Sequence, residues 1–264
     1  MYDFKYQKAA NVAEAAKAIG ADNEAKLVAG GMTLIPTLKQ RLARPSSLID
    51  LGGIGELKGI RREGNAIVIG AMTKHADVAN SPEVRGAIPA LAELASHIGD
   101  PAVRNRGTIG GSIVNNDPAA DYPSAVVALN ATVITNKRKI AADDFFKGLF
   151  ETALGGDEIV TAVSFPIPEK AAYMKFPNPA SRYAIVGAFV ARTGGNVRVG
   201  VTGAGPCVFR WTEAEAALGK SWNGDALKNI TVKADGLNSD IHASSEYRAH
   251  LIGVMARRAV AKAG

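Results

Sequence analysis

Apolar positions in the first part of the chain alternate between a helical and a strand period. The stretch NVAEAAKAI keeps its apolar residues on one helical face, and Glu14 follows Asn11 at the spacing of a capping box, so it predicts a short amphipathic helix. AKLVAGG predicts a strand that ends in two glycines, and MTLIPTLKQRLA predicts a helix with Pro36 in its first turn. SLIDLG and NAIVIGA are typical of further strands.

The middle of the chain predicts one long helix followed by a loop. SPEVRGAIPALAELASHIG offers Ser81 as N-cap and Pro82 at the first helical position, and its apolar face runs to Ile98 before Gly99 ends the helix. Asn105–Ala125, with the sequence NRGTIGGSIVNNDPAADYPSA, is so rich in glycine, asparagine and aspartate that it predicts irregular backbone. YPSAVVALN then predicts a short helix, ATVITNKRKIAA a hairpin and DEIVTAVSFPIP a strand.

The last hundred residues have a different order of elements. AAYMKF, AIVGAFVART, NVRVGVTGA and CVFRW predict antiparallel strands, and TEAEAALG and SEYRAHLIGVMARRAVAKA predict helices behind them. Strands followed by helices indicate a separate α+β layer. Pro166 and Pro168 mark the transition, so we expect a domain boundary near residue 168.

Composition removes several classes of protein. With 47% hydrophobic and 21% charged residues the chain is an ordinary globular protein. Its one cysteine, Cys207, excludes an internal disulfide and any cysteine-ligated cluster or structural zinc site held by this chain alone, and a buried structural role is expected for it. The N-terminus has no signal-peptide pattern and no apolar run could span a bilayer, which favours a cytoplasmic protein. The net charge of +6 is dispersed, so nucleic-acid binding is not expected.

Familiar catalytic and nucleotide-binding motifs are missing. There is no G-x-G-x-x-G, and Ala214 stands where a P-loop ending in Lys220 and Ser221 would need its first glycine. The four histidines are far apart in sequence without metal-ligand spacing, and no nucleophile elbow is present. We therefore expect no metal site and no acid–base or nucleophilic catalytic group.

Two glycine-rich segments remain, VAGGMTLIP after a strand and GTIGGSIVNNDPAAD after a helix. Consecutive glycines expose peptide N–H groups that could bind an anion, and two such segments could hold one pyrophosphate. Asp117 and Asp121 add acceptors suited to hydroxyl or N–H groups. Three readings stay open at this point: a site for a nucleotide with a pyrophosphate, a nucleotide-binding or carbohydrate-active enzyme that uses the same segments for a different phosphate, and plain turns in a non-catalytic interaction module.

The ordered set AGGMTL, GAMTKH, VRNRGTIGGSIVNNDPAADYP and DEIVTAVSFPIP resembles the FAD-binding medium subunit of the molybdenum hydroxylases. That family includes bacterial carbon monoxide dehydrogenase and xanthine dehydrogenase, and the resemblance covers essentially the whole chain. It implies an α+β fold: a two-part FAD-binding domain of the vanillyl-alcohol-oxidase/PCMH type over residues 1–168, with its two subdomains meeting near residue 54, and a C-terminal α+β domain over residues 169–264.

The resemblance also implies a set of cofactor-binding residues. They fall on the two glycine segments and on positions that approach the nucleotide or the flavin ring: Ala29, Gly30, Gly31, Met32, Thr33, Leu34, Ile98, Thr108, Gly110, Gly111, Ser112, Asp121, Val160, Lys175 and Tyr183. Ser112 stands where the family often has asparagine, and Met32-Thr33 where it often has a polar pair, which affects side-chain hydrogen bonds but not backbone donors. The single cysteine excludes the subtype with an inserted cysteine-rich loop.

The implied function is electron transfer. A large molybdopterin-binding subunit oxidises the substrate, a small subunit carries electrons through [2Fe–2S] clusters, and the FAD of this chain passes them to NAD, a quinone or oxygen. The implied assembly is a heterotrimer or its dimer. The resemblance also implies that the substrate pocket belongs to the large subunit. Lys175 is expected to tune the potential of the flavin.

Overall fold

The computed structural model describes residues 1–264, and its first unit is a small parallel sheet with two helices. Its elements in chain order are β1 (Lys5–Lys8), α1 (Val12–Gly20), β2 (Lys26–Val28), α2 (Leu34–Lys39) and β3 (Ser47–Asp50). The strand order is β1-β3-β2, with both pairings parallel. The predicted N-cap is confirmed, since the Asn11 side chain accepts a hydrogen bond from the Glu14 N–H at 2.9 Å. β1 was not predicted, because its four residues are all exposed and show no apolar alternation.

The central unit combines an antiparallel sheet with a layer of short helices. Its elements are β4 (Ile60–Glu63), β5 (Ala66–Gly70), α3 (His75–Asn80), α4 (Pro82–Ala87), α5 (Pro89–Ser96), α6 (Pro101–Arg104), α7 (Ile109–Asn115), α8 (Tyr122–Ala128), β6 (Thr132–Thr135), β7 (Lys139–Ala141), α9 (Ala142–Phe145), β8 (Phe146–Gly148), β9 (Glu151–Thr152) and β10 (Val160–Pro166). Five of the strands pair in the order β4-β5-β10-β6-β7, and β8 pairs with β9. The predicted hairpin is β6–β7, and the strand predicted from DEIVTAVSFPIP is β10.

Two predictions in this unit are wrong. The single helix expected from Ser81 to Gly99 is broken at Ile88, because Pro89 supplies no N–H and its ring is incompatible with a continuing helix. The segment Asn105–Ala125, expected to be irregular, contains α7 and the start of α8. Thr108 caps α7 by accepting a hydrogen bond from the Gly111 N–H at 3.1 Å.

The C-terminal unit is an antiparallel sheet between two layers of helices. Its elements are β11 (Lys170–Pro177), β12 (Ala184–Thr193), β13 (Asn196–Thr202), β14 (Phe209–Arg210), α10 (Thr212–Lys220) and α11 (Ser245–Ala263). The strands are antiparallel, as predicted, and each pairs with the next one along the chain. α5 and α8 pack on one face of this sheet and α10 and α11 on the other, so β12 is buried along most of its length.

The central and C-terminal units are joined by core packing and by ion pairs. Tyr173 and Phe189 extend from the C-terminal sheet into the core of the central unit. Lys262 of α11 pairs with Glu93 of α5 at the surface. No helix of the chain has the length and apolar character needed to cross a membrane.

Candidate functional site

The first glycine segment, Ala29–Leu34, connects β2 to α2 and leaves its backbone donors free. None of its six consecutive peptide N–H groups donates a hydrogen bond to another group of the chain, and the first N–H that does so beyond it is that of Ile35, to the Gly31 carbonyl at 3.0 Å. Gly31 has a φ of 73°, a conformation that glycine adopts without strain. A row of free N–H groups at the start of a helix suits an anion such as a pyrophosphate.

The second glycine segment begins α7, and its backbone donors are already used. The N–H groups of Ile109 and Gly110 donate to the carbonyls of Thr73 at 3.1 Å and Ala71 at 2.8 Å, and that of Gly111 donates to Thr108 Oγ1. The expectation that Gly110 and Gly111 offer free N–H groups is therefore wrong: the GAMTKH segment supplies the carbonyl acceptor for Gly110, and the Thr108 hydroxyl oxygen accepts from Gly111. Gly110 is required for packing instead, since a Cβ there would lie 2.6 Å from the Ala71 Cβ.

The two glycine segments are in direct contact. A Cβ on Gly30 would lie 2.2 Å from the Arg106 carbonyl oxygen and 2.8 Å from the Gly107 Cα. A Cβ on Gly111 would lie 3.7 Å from the Ala29 Cβ. The backbone of the two segments meets this closely at position 30 only because that residue is glycine, whereas the approach of Gly111 to Ala29 is an ordinary contact. The two segments are thus neighbours in the folded chain, as a shared site would require.

His75 packs against Gly107, at the start of the second segment. Its N–H donates to the Gly107 carbonyl at 3.0 Å, and its ring lies against Gly107 on one side and Tyr122 on the other, with 5.4 Å between the centroids of the two rings. Burial, with a smaller contribution from Arg104, lowers the pKa of His75 to about 4. The imidazole is therefore neutral at pH 7. Sequence reasoning missed this residue. The available signal was its place in GAMTKH, one of the motifs that carry the family resemblance.

Asp121 and Lys175 form a buried ion pair next to this layer. Lys175 Nζ lies 3.0 Å from Asp121 Oδ1 and 3.1 Å from Oδ2, and the two side chains are only 4% and 5% exposed. The Tyr173 hydroxyl donates to Asp121 Oδ1 at 2.5 Å, and Lys175 Nζ also donates to the His97 carbonyl at 3.1 Å. Burial raises the pKa of Asp121, while Lys175 and Tyr173 oppose that shift.

The polar atoms of this pair are thus occupied within the chain. Asp121 also occupies the N-cap position of α8, but its carboxylate makes no capping hydrogen bond. The pair ties the C-terminal sheet to the ends of α5 and α8. Tyr173 was not predicted, although its spacing of two from Lys175 puts both side chains on one face of β11.

The remaining predicted residues lie around this junction or in the core. Ile98 lies just beyond α5 and is half-buried against the central core, and its carbonyl accepts from Arg104 at 3.1 Å. Val160, at the start of β10, is buried in that core. Tyr183 is 49% exposed on the loop after β11, and partial burial together with the carboxylates of Asp117 and Asp121 raises its pKa. In the second segment, Thr108 is buried at the cap and the Ser112 hydroxyl forms no hydrogen bond within the chain.

Two family models match the chain in succession. Residues 2–168 match the FAD binding domain in molybdopterin dehydrogenase, and residues 171–263 match the CO dehydrogenase flavoprotein C-terminal domain. The free donors of Ala29–Leu34 and the close approach of the two glycine segments fit such a cofactor, because a dinucleotide needs backbone donors for its pyrophosphate and a surface free of side chains.

Individual proteins of known name are similar over nearly their full length. The nicotine 6-hydroxylase medium subunit of Paenarthrobacter nicotinovorans is 34% identical over 98% of this chain and 97% of its own. The carbon monoxide dehydrogenase medium chain of Hydrogenophaga pseudoflava is 35% identical over 97% of this chain and 96% of its own.

Solved structures show the same fold. Reconstituted carbon monoxide dehydrogenase from Oligotropha carboxidovorans superposes with a TM-score of 0.92 at 34% identity, covering 99% of this chain and 98% of that one. Quinoline 2-oxidoreductase from Pseudomonas putida 86 superposes with a TM-score of 0.89 at 29% identity, covering 99% and 97%. The expected α+β, two-domain FAD-binding architecture is confirmed. The chain belongs to the family of FAD-binding medium subunits of the molybdenum hydroxylases and is a flavoprotein oxidoreductase subunit.

Proposed function

We propose that this chain collects electrons on its FAD from the [2Fe–2S] clusters of a small partner subunit and passes them to an external acceptor. A large molybdopterin-binding subunit would oxidise the substrate, and the three chains would form a heterotrimer or its dimer. Membership of the family and the medium-subunit names of its relatives support this assignment. NAD, a quinone and oxygen are the candidate acceptors.

The observation that carries the proposal is the row of six free peptide N–H groups from Ala29 to Leu34. We assign the FAD pyrophosphate to this row, because backbone donors bind phosphate oxygens without adding side-chain bulk. In the second segment, we propose that the FAD lies close to the backbone of Gly111. We assign hydrogen bonds with the cofactor to the hydroxyl groups of Thr108 and Ser112. Gly110 then serves the site by letting α7 rest on Ala71.

The flavin supplies the redox chemistry when bound, accepting electrons singly or in pairs and releasing them to an acceptor. The protein's own groups set its surroundings. Lys175 and Asp121 place one buried positive and one buried negative charge beside α5 and α8, and their mutual hydrogen bonds fix both in place. We therefore assign to this pair an electrostatic role at the flavin, and we propose that Ile98, Val160 and Tyr183 form the walls around it.

We also propose functional units with the limits 1–168 and 169–264, the first divided near residue 54. Three separate hydrophobic cores support this division: one around α1 and the parallel sheet, one in the central unit and one between the C-terminal sheet and α11. The central core includes Tyr173 and Phe189 from the last unit, so the boundary near 168 is packed. The residues that we assign to the FAD site lie in all three units, so all three would surround the flavin.

Anaerobic mixing with the iron–sulfur partner tests the proposal. The small subunit is reduced with dithionite, freed of excess reductant and added to the FAD-loaded chain, and the visible absorbance of the flavin is followed. We expect this absorbance to bleach, and to remain unchanged when a redox-inactive protein of similar charge replaces the small subunit. Oxidised flavin that persists in a complex shown to form would contradict the proposed electron route.

A further inference from the structure

Four residues at the end of α2 form a small exposed surface, which we name the arginine–tyrosine patch: Tyr2, Arg41, Leu42 and Arg44. The guanidinium carbons of Arg41 and Arg44 lie 5.6 and 5.2 Å from the centroid of the Tyr2 ring. Both distances are within the range of a cation–π contact, so the two arginines and the tyrosine form one cluster. Leu42 between them is 73% exposed.

At this surface, α2 ends in a common left-handed turn that here contains an arginine. Arg41 follows the C-cap of α2 with a φ of 61°, where glycine is the typical residue, and the N–H of Leu42 donates to the Thr37 carbonyl at 3.1 Å. The hydrophobic residue that follows such a turn commonly packs back on its helix. Leu42 instead extends into solvent, so the turn displays a leucine and an arginine together.

The positive charges of the patch form no ion pair within the chain. The sequence from Lys39 to Ser46 contains three cationic residues and no carboxylate. Neither Arg41 nor Arg44 takes part in an ion pair. Arginine and tyrosine are enriched in the energetically important centres of protein interfaces. Charge complementarity therefore favours a protein partner whose facing surface is acidic.

The patch is close to the segment assigned to the pyrophosphate. α2 begins at the end of Ala29–Leu34 and has six residues, which at 1.5 Å per residue is about 9 Å. Under the proposed function, the subunit that delivers electrons docks on this chain, and the patch is an exposed cationic surface next to a segment assigned to FAD. We propose that the arginine–tyrosine patch docks the electron-donating iron–sulfur subunit, which presents carboxylates around an apolar pocket for Leu42. This inference rests on the proposed function.

The test uses the FAD-loaded chain and its purified iron–sulfur subunit in a calorimetric titration at low and high salt. The first variant combines Arg41→Asn with Arg44→Gln, because asparagine tolerates the left-handed backbone at position 41. The second is Leu42→Ser. The control combines Lys220→Gln with Lys233→Gln, which removes the same charge from exposed, unpaired positions of the C-terminal unit.

We expect each patch variant to retain FAD and to bind the iron–sulfur subunit about tenfold or more weakly, with a shallower salt dependence for the arginine variant, while the control changes affinity less than about twofold. Unchanged binding of both patch variants would overturn this inference alone. Failure of the wild-type, FAD-loaded chain to bind the iron–sulfur subunit would refute the proposed function as well. A change in self-association instead, measured by sedimentation, would assign the patch to a second copy and overturn the proposal.

Discussion

Gly30→Ala tests whether the close contact between the two glycine segments is needed to form the site. The added Cβ would lie 2.2 Å from the Arg106 carbonyl oxygen, 2.7 Å from its carbonyl carbon and 2.8 Å from the Gly107 Cα. These are backbone atoms, so no side chain can rotate away. Restoring ordinary contact requires the segments to move apart by about 1 Å. Gly30 has no positive φ, so alanine adds no strain of its own.

The expected cost follows from that overlap. Overpacking of a well-packed site destabilises by about 1–3 kcal/mol, which for a chain of this size lowers Tm by roughly 2–12 °C. Displacing the row of N–H groups from Ala29 to Leu34 by a similar distance should weaken FAD binding by tenfold or more, since about 1.4 kcal/mol corresponds to a factor of ten. Affinity should therefore fall even at temperatures where the variant is fully folded.

The assay is a fluorescence titration of the FAD-free protein with FAD, together with thermal unfolding followed by circular dichroism. Gly55→Ala is the matched control, because no atom lies within 4 Å of its added Cβ and its φ is not positive. The control should bind FAD as the wild type does. If the folded Gly30→Ala protein bound FAD within twofold of the control, contact between the two segments would not form the site.

Three further changes test other parts of the structure. Asp121→Asn leaves the Lys175 ammonium buried without its carboxylate and should destabilise by about 3–5 kcal/mol in denaturant unfolding, whereas Asp121→Asn with Lys175→Met should recover part of that loss; an additive double variant would refute the coupling. The pKa of His75 is lowered from 6.5 to about 4 in the folded chain, so the unfolded chain binds the proton more tightly. The neutral imidazole of His75 contributes fully to the free energy of unfolding above about pH 6.5, and this contribution falls by roughly 3 kcal/mol as the pH drops to about 4. His75→Phe should remove this part of the pH dependence of unfolding. Gly86→Ala, in α4 with no atom within 4 Å of the added Cβ, should stabilise by about 0.5–1 kcal/mol in the same assay, and a loss of stability there would contradict the described helix.

The elements that the sequence predicts well are those decided by local chemistry. Asn11 caps α1 because its side chain reaches an N–H three residues on, and the strands of the C-terminal sheet follow from apolar stretches separated by turns. The helix break at Ile88 also has a local cause, Pro89. The sequence nevertheless predicts one continuous helix there, because the apolar period is strong on both sides of the proline.

The parts that the sequence does not predict depend on distant contacts. α7 forms in a glycine-rich stretch because Ala71 and Thr73 accept its first N–H groups, and that contact crosses about forty residues. The buried pair of Asp121 and Lys175 joins residues 54 apart, and no spacing rule connects them. The resemblance to a family points to the two glycine segments, but which of their N–H groups are free is visible only in the folded chain.

The most direct test of the central claim is the visible absorption spectrum of the purified, correctly folded chain, followed by acid release and chromatography of the bound molecule. FAD held by Ala29–Leu34 predicts a flavin spectrum, with released FAD identified against a standard. A colourless, folded chain that takes up no added FAD would contradict the account.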